Sequence, residues 1–135
     1  MKAVAVILAL ALGAILAAQN AAKRDSPPSP ASGAQMYRAY CASCHGLDGK
    51  GKGPAAPAMK TPPADLTTLA RRNGGKFPEV RVFQSIEGEA GLAAHGSREM
   101  PVWGTAFRTM GGSDEASVKL RVRNLTRHVE SMQQR

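Results

Sequence analysis

Aromatic side chains are scarce in this chain of 135 residues: one Trp, two Tyr and three Phe make up only 4% of it. Large aromatic side chains contribute much of the apolar area that a domain buries. A folded unit of this size with so few of them has a thin hydrophobic core. A buried prosthetic group would supply the missing apolar volume.

Acidic residues are also few, with 10 Asp and Glu against 18 Lys and Arg, which gives a formal net charge of +8. Such a balance favours acidic protein partners or anionic membrane surfaces. Nucleic-acid binding is a poorer interpretation, because the basic residues are not interleaved with aromatic ones that could stack on bases. We therefore expect no nucleic-acid partner.

Charged residues are absent from the run Ala3–Ala18, which follows the single basic residue Lys2. This is the form of a secretory signal, and no twin-arginine pair precedes it. No clean small-x-small cleavage site follows the run. As a helix it would span about 24 Å, short of the ~30 Å hydrocarbon core. Residues 1–22 are therefore predicted to be a signal peptide or an uncleaved membrane anchor, and the chain to be exported to the periplasm, soluble or anchored to the outer face of the cytoplasmic membrane through residues 3–18.

Residues 23–32 are rich in proline and serine, a composition that predicts a semi-extended linker rather than packed structure. Residues 33–132 form the predicted domain. Their helix signals are caps, stops and apolar stripes at helical spacing. These signals predict four helices: Gly33–Cys44 after Ser32, Leu66–Arg72 after Asp65, Glu79–Glu87 after Pro78, and a last helix capped by Ser113 or Asp114.

The remaining stretches, Gly46–Pro63 and Gly88–Gly112, are rich in glycine and proline and predict loops, apart from a possible turn near Thr105–Arg108. No repeat and no strand–helix–strand pattern is visible. The expected fold class is all-α, with four to five short helices and long connecting loops.

The two cysteines of the chain lie in C-A-S-C-H, at Cys41 and Cys44, with His45 following at once. This is the spacing of covalent haem attachment. Residues three apart on a helical turn share one face, so both thiols can reach one porphyrin edge while His45 turns to the iron. A structural disulfide, a thioredoxin-like pair and a zinc site are the alternatives; the last two lack a βαβ context and further ligands at metal spacing.

A second axial ligand must come from the remaining methionines and histidines. Met36 and Met132 fall on apolar helix stripes and predict core packing, and Met110 adjoins two glycines in a loop. Met59 and Met100 stay open, with Met100 favoured because Pro101 stiffens its loop and Trp103 offers a flat apolar partner. His95 is a further candidate, as a ligand in an alternative state or as an exposed loop residue.

Three segments in order give the chain its resemblance to a known family: G-A-Q-M-Y-R-A-Y-C-A-S-C-H-G, G-K-G-K-G-P and M-P-V-W-G. Over roughly Gly33–Met132 it resembles a class I, mitochondrial-like monohaem cytochrome c domain of the bacterial type. The resemblance implies Met100 as distal ligand and Trp103 in the haem pocket. It also implies that the carbonyl of Pro54 accepts a hydrogen bond from His45, and that the first and last helices pack together, with His128 where the family usually has an aromatic residue.

One covalent haem c with His/Met ligation predicts a six-coordinate, one-electron carrier and not an enzyme. It would shuttle electrons between respiratory or dehydrogenase partners outside the cytoplasm. The alternatives are a fixed, membrane-tethered subunit of an oxidase or dehydrogenase complex, and a peroxidase or sensor in which Met100 is displaced. A cationic face near the haem edge is predicted from Lys50, Lys52 and Lys60, and it would bind the acidic docking surface of a redox partner. His128 predicts a partly buried histidine or a pH-sensitive contact.

Overall fold

The computed structural model describes residues 28–88, 100–110 and 114–134. The predicted signal or anchor at 1–22 lies outside these residues, as does the first half of the predicted linker at 23–32. Within the described part the chain forms five helices and no strand. The predicted all-α class is therefore confirmed. No helix in this part is both long enough and apolar enough to cross a bilayer.

The first helix, α1, is one continuous helical segment made of three stretches. Its bounds are Gly33–Met36, the π-helical turn Tyr37–Cys41 and Ala42–His45. It begins as predicted, because the Ser32 hydroxyl accepts the backbone N–H of Gln35 at 3.2 Å. The π-helical turn, closed by a bond from the Ala42 N–H to the Tyr37 carbonyl, was not predicted.

The second helix begins as a 3₁₀ turn, Leu66–Thr68, and continues as Leu69–Arg72; together they are α2. The carboxylate of Asp65 caps it by accepting the Thr67 N–H at 2.8 Å, as predicted. Before it, the loop contains one short 3₁₀ turn, Ala56–Ala58. The third helix, α3, spans Glu79–Glu87 and ends at Gly88, at the predicted bounds.

The fourth helix, α4, spans Trp103–Thr109, where only a turn near Thr105–Arg108 was predicted. The last helix, α5, spans Glu115–Ser131. Asp114 is its cap, with the Ser117 N–H donating to its carboxylate at 2.9 Å. The other predicted cap, Ser113, lies outside the described residues, as do residues 89–99 of the predicted loop.

The core lies between α1, α3, α4 and α5. Its buried members are Met36, Tyr37, Ala42, Ile86, Phe107, Val118, Val122, Leu125 and Val129. The helices α1 and α5 pack together, as the resemblance implied. At Gly33 the backbones come so close that a Cβ atom would collide with the carbonyl oxygen of Asn124. This close approach of the two backbones is possible because residue 33 is a glycine.

Candidate functional site

The two cysteines lie on the last two turns of α1. Both are half-buried and neither is in a disulfide. Burial, and to a lesser extent the neighbouring Cys44, raises the pKa of Cys41 to about 12. A thioredoxin-like nucleophile needs a lowered thiol pKa, which Cys41 does not have. Within the described residues no three His, Cys, Asp or Glu side chains gather as a metal site.

His45 ends α1, and its ring is held by the chain that returns from the following loop. Its Nδ1 lies 3.1 Å from the carbonyl oxygen of Ala64. A carbonyl oxygen only accepts, so Nδ1 carries the hydrogen, and the lone pair of Nε2 is left for a metal ion. Burial lowers the pKa of His45, and the hydrogen bond to Ala64 opposes this in part. A neutral imidazole with a free Nε2 is the form that binds iron.

The acceptor at His45 differs from the one that the resemblance implied. Pro54 is exposed, and the carbonyl at Nδ1 belongs to Ala64, ten residues further along the chain. The reason lies in the loop, where the backbone N–H groups of Gly51, Gly53 and Ala55 donate to the last carbonyl groups of α1. The chain returns to the His45 ring only after this stretch, so Ala64 and not Pro54 supplies the carbonyl.

The glycine-rich loop satisfies the last carbonyl groups of α1. Gly51 N–H donates to His45 O at 2.8 Å, Gly53 N–H to Cys44 O at 3.0 Å, and Ala55 N–H to Ser43 O at 2.8 Å. The loop is held close on its other side too, because a Cβ at Gly51, whose φ is +75°, would collide with the carbonyl oxygen of Pro63. Residues 49–55 therefore pack closely against the Cys41–His45 turn through their backbone, and we call this stretch the collar.

Lysines alternate with the buried glycines of this collar. Lys50 and Lys52 are exposed, while Gly49, Gly51 and Gly53 are buried. Lys60 is exposed further along the same loop. The predicted cationic side chains therefore lie on the solvent face of the loop that adjoins His45.

An aromatic cluster packs beside Cys41. The Trp103 ring lies 5.4 Å from Tyr40 and 5.7 Å from Phe107, centroid to centroid, and Tyr40 lies 5.7 Å from Phe107. Met100 is half-buried and packs against the same core. One apolar cluster therefore contains Cys41 of α1 together with Met100 and Trp103. This arrangement gives an apolar wall of the kind a porphyrin ring needs.

The other methionines differ in their surroundings. Met59 is half-buried at the end of the 3₁₀ turn, and Met110 is 46% exposed at the end of α4. Met36 is fully buried and Met132 packs against the core, as predicted for both. His95 lies outside the described residues, so its two predicted roles stay predictions.

Sequence reasoning missed three features of this site. They are the carbonyl of Ala64, the hydrogen bond from the Tyr37 hydroxyl to the carbonyl of Gly46 at 2.8 Å, and the side chain of Gln133 at the end of the chain. None of the three has a sequence signal, because each is a contact between a backbone carbonyl and a residue brought to it by the fold.

An all-helical domain with a C-x-x-C-H turn, a collar of backbone and an apolar wall defines a cytochrome c domain of the class I type. A family model described as cytochrome c oxidase, cbb3-type, subunit III, matches residues 28–115. The chain therefore belongs to this family of cytochrome c domains. No curated protein and no solved structure gave a significant match.

A cytochrome c domain is an electron-transfer module and implies haem c. The residues of this chain fit that group. Two free thiols lie three residues apart on one helical turn, and the neutral imidazole beside them has its Nε2 lone pair available. A thioether and an indole lie in the same apolar cluster as Cys41. These side chains are of the types that hold haem c in proteins.

Proposed function

We propose that this protein is a one-electron carrier that holds a single haem c covalently through Cys41 and Cys44, with His45 and Met100 as axial ligands. The observation that carries the proposal is the Cys41–His45 turn, with the tautomer of His45 set by the carbonyl of Ala64. A c-type haem with two protein ligands supplies reversible one-electron chemistry at iron. Such a centre has no open position for a substrate, which favours electron transfer over catalysis.

The chain's own residues have three tasks in this proposal. His45 donates its ring N–H to Ala64 and so keeps its orientation and its basicity as a ligand. The cluster of Tyr40, Trp103 and Phe107 excludes water from one side of the pocket. Lys50 and Lys52 give the adjoining surface a positive charge that would attract an acidic redox partner.

The family description favours one second candidate function, a fixed subunit of an oxidase complex. In that case the run Ala3–Ala18 would be retained as an anchor and the Pro/Ser-rich residues 23–32 would act as the tether. A diffusing periplasmic carrier would lose residues 1–22. The N-terminal sequence of the protein purified from membrane and soluble fractions distinguishes the two.

The test of the proposed function is an absorption spectrum of the purified protein in both redox states. We expect covalent haem, which stays with the chain in denaturant, and a low-spin spectrum in the ferric and ferrous forms. A high-spin ferric spectrum would refute the closed, two-ligand centre. A colourless protein would refute the proposal as a whole.

A further inference from the structure

The side chain of Gln133 forms hydrogen bonds with the segment that follows Ala64. Its Nε2 donates to the carbonyl of Leu66 at 2.7 Å, and its Oε1 accepts the N–H of Ala70 at 2.9 Å. One amide group therefore holds both ends of the turn that opens α2, across 67 residues of chain. A helix as short as α2 is not stable through its own backbone hydrogen bonds, so this segment depends on contacts such as those with Gln133.

The side chain of Gln133 is also hydrogen-bonded to the last helix, α5. The Nε2 of Gln133 also donates to the carbonyl of Val129 at 2.9 Å, and the backbone N–H of Gln134 donates to Thr67 O at 2.9 Å. Both donors belong to the residues just after α5. The 66–70 segment thus takes its position from α5, which is also the helix that crosses α1.

The same segment determines where the carbonyl of Ala64 lies. Leu66, two residues after Ala64, donates its N–H to Gly49 O at 2.7 Å. Leu66 is therefore fixed between Gly49 on one side and Gln133 on the other. Two residues of chain give Ala64 little freedom to move relative to Leu66. The 3.1 Å contact between Ala64 O and His45 Nδ1 depends on this fixed point.

We propose that Gln133 is a positioning residue for His45. It does not touch the imidazole; it holds the 66–70 segment so that the Ala64 carbonyl stays on Nδ1. A carbonyl there fixes the tautomer and the ring orientation, and raises the basicity of Nε2. This inference rests on the proposed function, in which Nε2 of His45 is an iron ligand.

A purely structural role for Gln133 would act on stability alone. An amide that ties two helices together lowers the free energy of the native state whether or not His45 is affected. The two roles separate in properties of the His45 ring itself. These are the exchange of its Nδ1–H with solvent, measured by NMR of the ¹⁵N-histidine-labelled protein, and the midpoint potential of the bound haem.

The experiment uses the full chain with Gln133→Ala, Gln133→Glu and, as a matched control, Gln134→Ala. The Glu variant keeps the acceptor for Ala70 but loses both donated bonds, and the control keeps the backbone N–H that bonds to Thr67. We expect Gln133→Ala and Gln133→Glu to speed the Nδ1–H exchange of His45 roughly ten-fold, the factor that corresponds to the loss of about one net hydrogen bond. A less basic imidazole stabilises ferric iron less, so the potential should rise, by 59 mV for a ten-fold change in a one-electron couple.

The control should match the wild type in both measurements. Unchanged exchange and potential in Gln133→Ala and Gln133→Glu, with only a lower unfolding temperature, would overturn the positioning role. If Gln133→Ala does not fold, Gln133→Glu decides the question. If the wild type carries no haem, the proposed function fails, and the exchange of the His45 ring N–H still decides whether Gln133 positions it.

Discussion

The ring of His128 on the last helix packs against the ring of Tyr37 on the first, with centroids 5.1 Å apart and planes inclined at 58°. Tyr37 is buried, and its hydroxyl donates to the carbonyl of Gly46 at 2.8 Å. Gly46 directly follows His45. A single side chain therefore joins the crossing of α1 and α5 to the end of the Cys41–His45 turn.

We expect Tyr37→Phe to lower the free energy of unfolding by about 1–3 kcal/mol, because it leaves the buried carbonyl of Gly46 without this donor. Chemical denaturation of the haem-loaded protein measures the loss. Tyr40→Phe is the matched control, since the Tyr40 hydroxyl makes no hydrogen bond within the described residues. Equal stability losses in the two variants would contradict the role of the Tyr37 hydroxyl.

We expect stability to depend on pH through His128. Burial lowers the pKa of His128 below its ordinary value of 6.5. The unfolded chain then binds a proton that the folded chain does not, so the contribution of His128 to stability is present above pH 6.5 and is lost as pH falls towards the lowered pKa. Tyr37 faces the ring from α1, and burial is the one cause of the lowered pKa of His128.

The measurement compares the unfolding temperatures of wild type and His128→Tyr across pH 5–8. Both proteins contain His45, so its contribution cancels in the difference. We expect the wild type to lose stability relative to the variant as pH falls below 6.5. Parallel curves would show that His128 is an ordinary packing residue.

We expect Met100→Ala to remove the sulfur ligand and leave the iron high-spin, with a lower midpoint potential, because a methionine sulfur favours the ferrous state. Absorption and magnetic circular dichroism in the ferric state detect the change. Met59→Ala and Met110→Ala are the controls, and both should keep the wild-type spectrum. Loss of the sulfur signature in Met59→Ala instead would assign the ligand to the other methionine left open by the sequence.

We expect Lys50→Gln with Lys52→Gln to slow electron transfer to an acidic partner roughly ten-fold at low ionic strength, because charge on a docking face steers association. The rate should also lose much of its dependence on salt. Arg123→Gln with Arg127→Gln removes the same charge from the exposed face of α5 and serves as the control. Equal effects of the two double variants would point to net charge instead of a docking face.

The sequence was most informative where a short-range rule decides the structure. Ser32, Asp65 and Asp114 each accept a backbone N–H at the start of a helix, as their residue types predicted. The stripe on α5 was equally clear, since Val118, Val122, Leu125 and Val129 are all buried. Local propensity and periodicity are sufficient for such features.

Other features depend on contacts that sequence distance hides. The helix at Trp103–Thr109 was predicted only as a turn, because it starts at a tryptophan with no capping side chain. Its packing against α5 through Phe107 stabilises it instead. The choice of Ala64 over Pro54 likewise depends on how the loop wraps the end of α1, and Gln133 shows no pattern before the fold brings it to Leu66.

The π-helical turn Tyr37–Cys41 accommodates one residue more than an α-helical turn between the two parts of α1. It brings Ala42 beneath Tyr37, where an ordinary helix would bring Cys41, and both Tyr37 and Ala42 are buried. Regular α-helical winding of the same residues would rotate the Cys41–His45 turn by about 100° relative to the crossing with α5. Removing the exposed Ala39 would instead make Ala42 the fourth residue after Tyr37, where an α-helix places it beneath Tyr37 without the π-helical turn. A deletion at position 39 should therefore keep the direction of the residues from Ala42 to His45, whereas an insertion there should not.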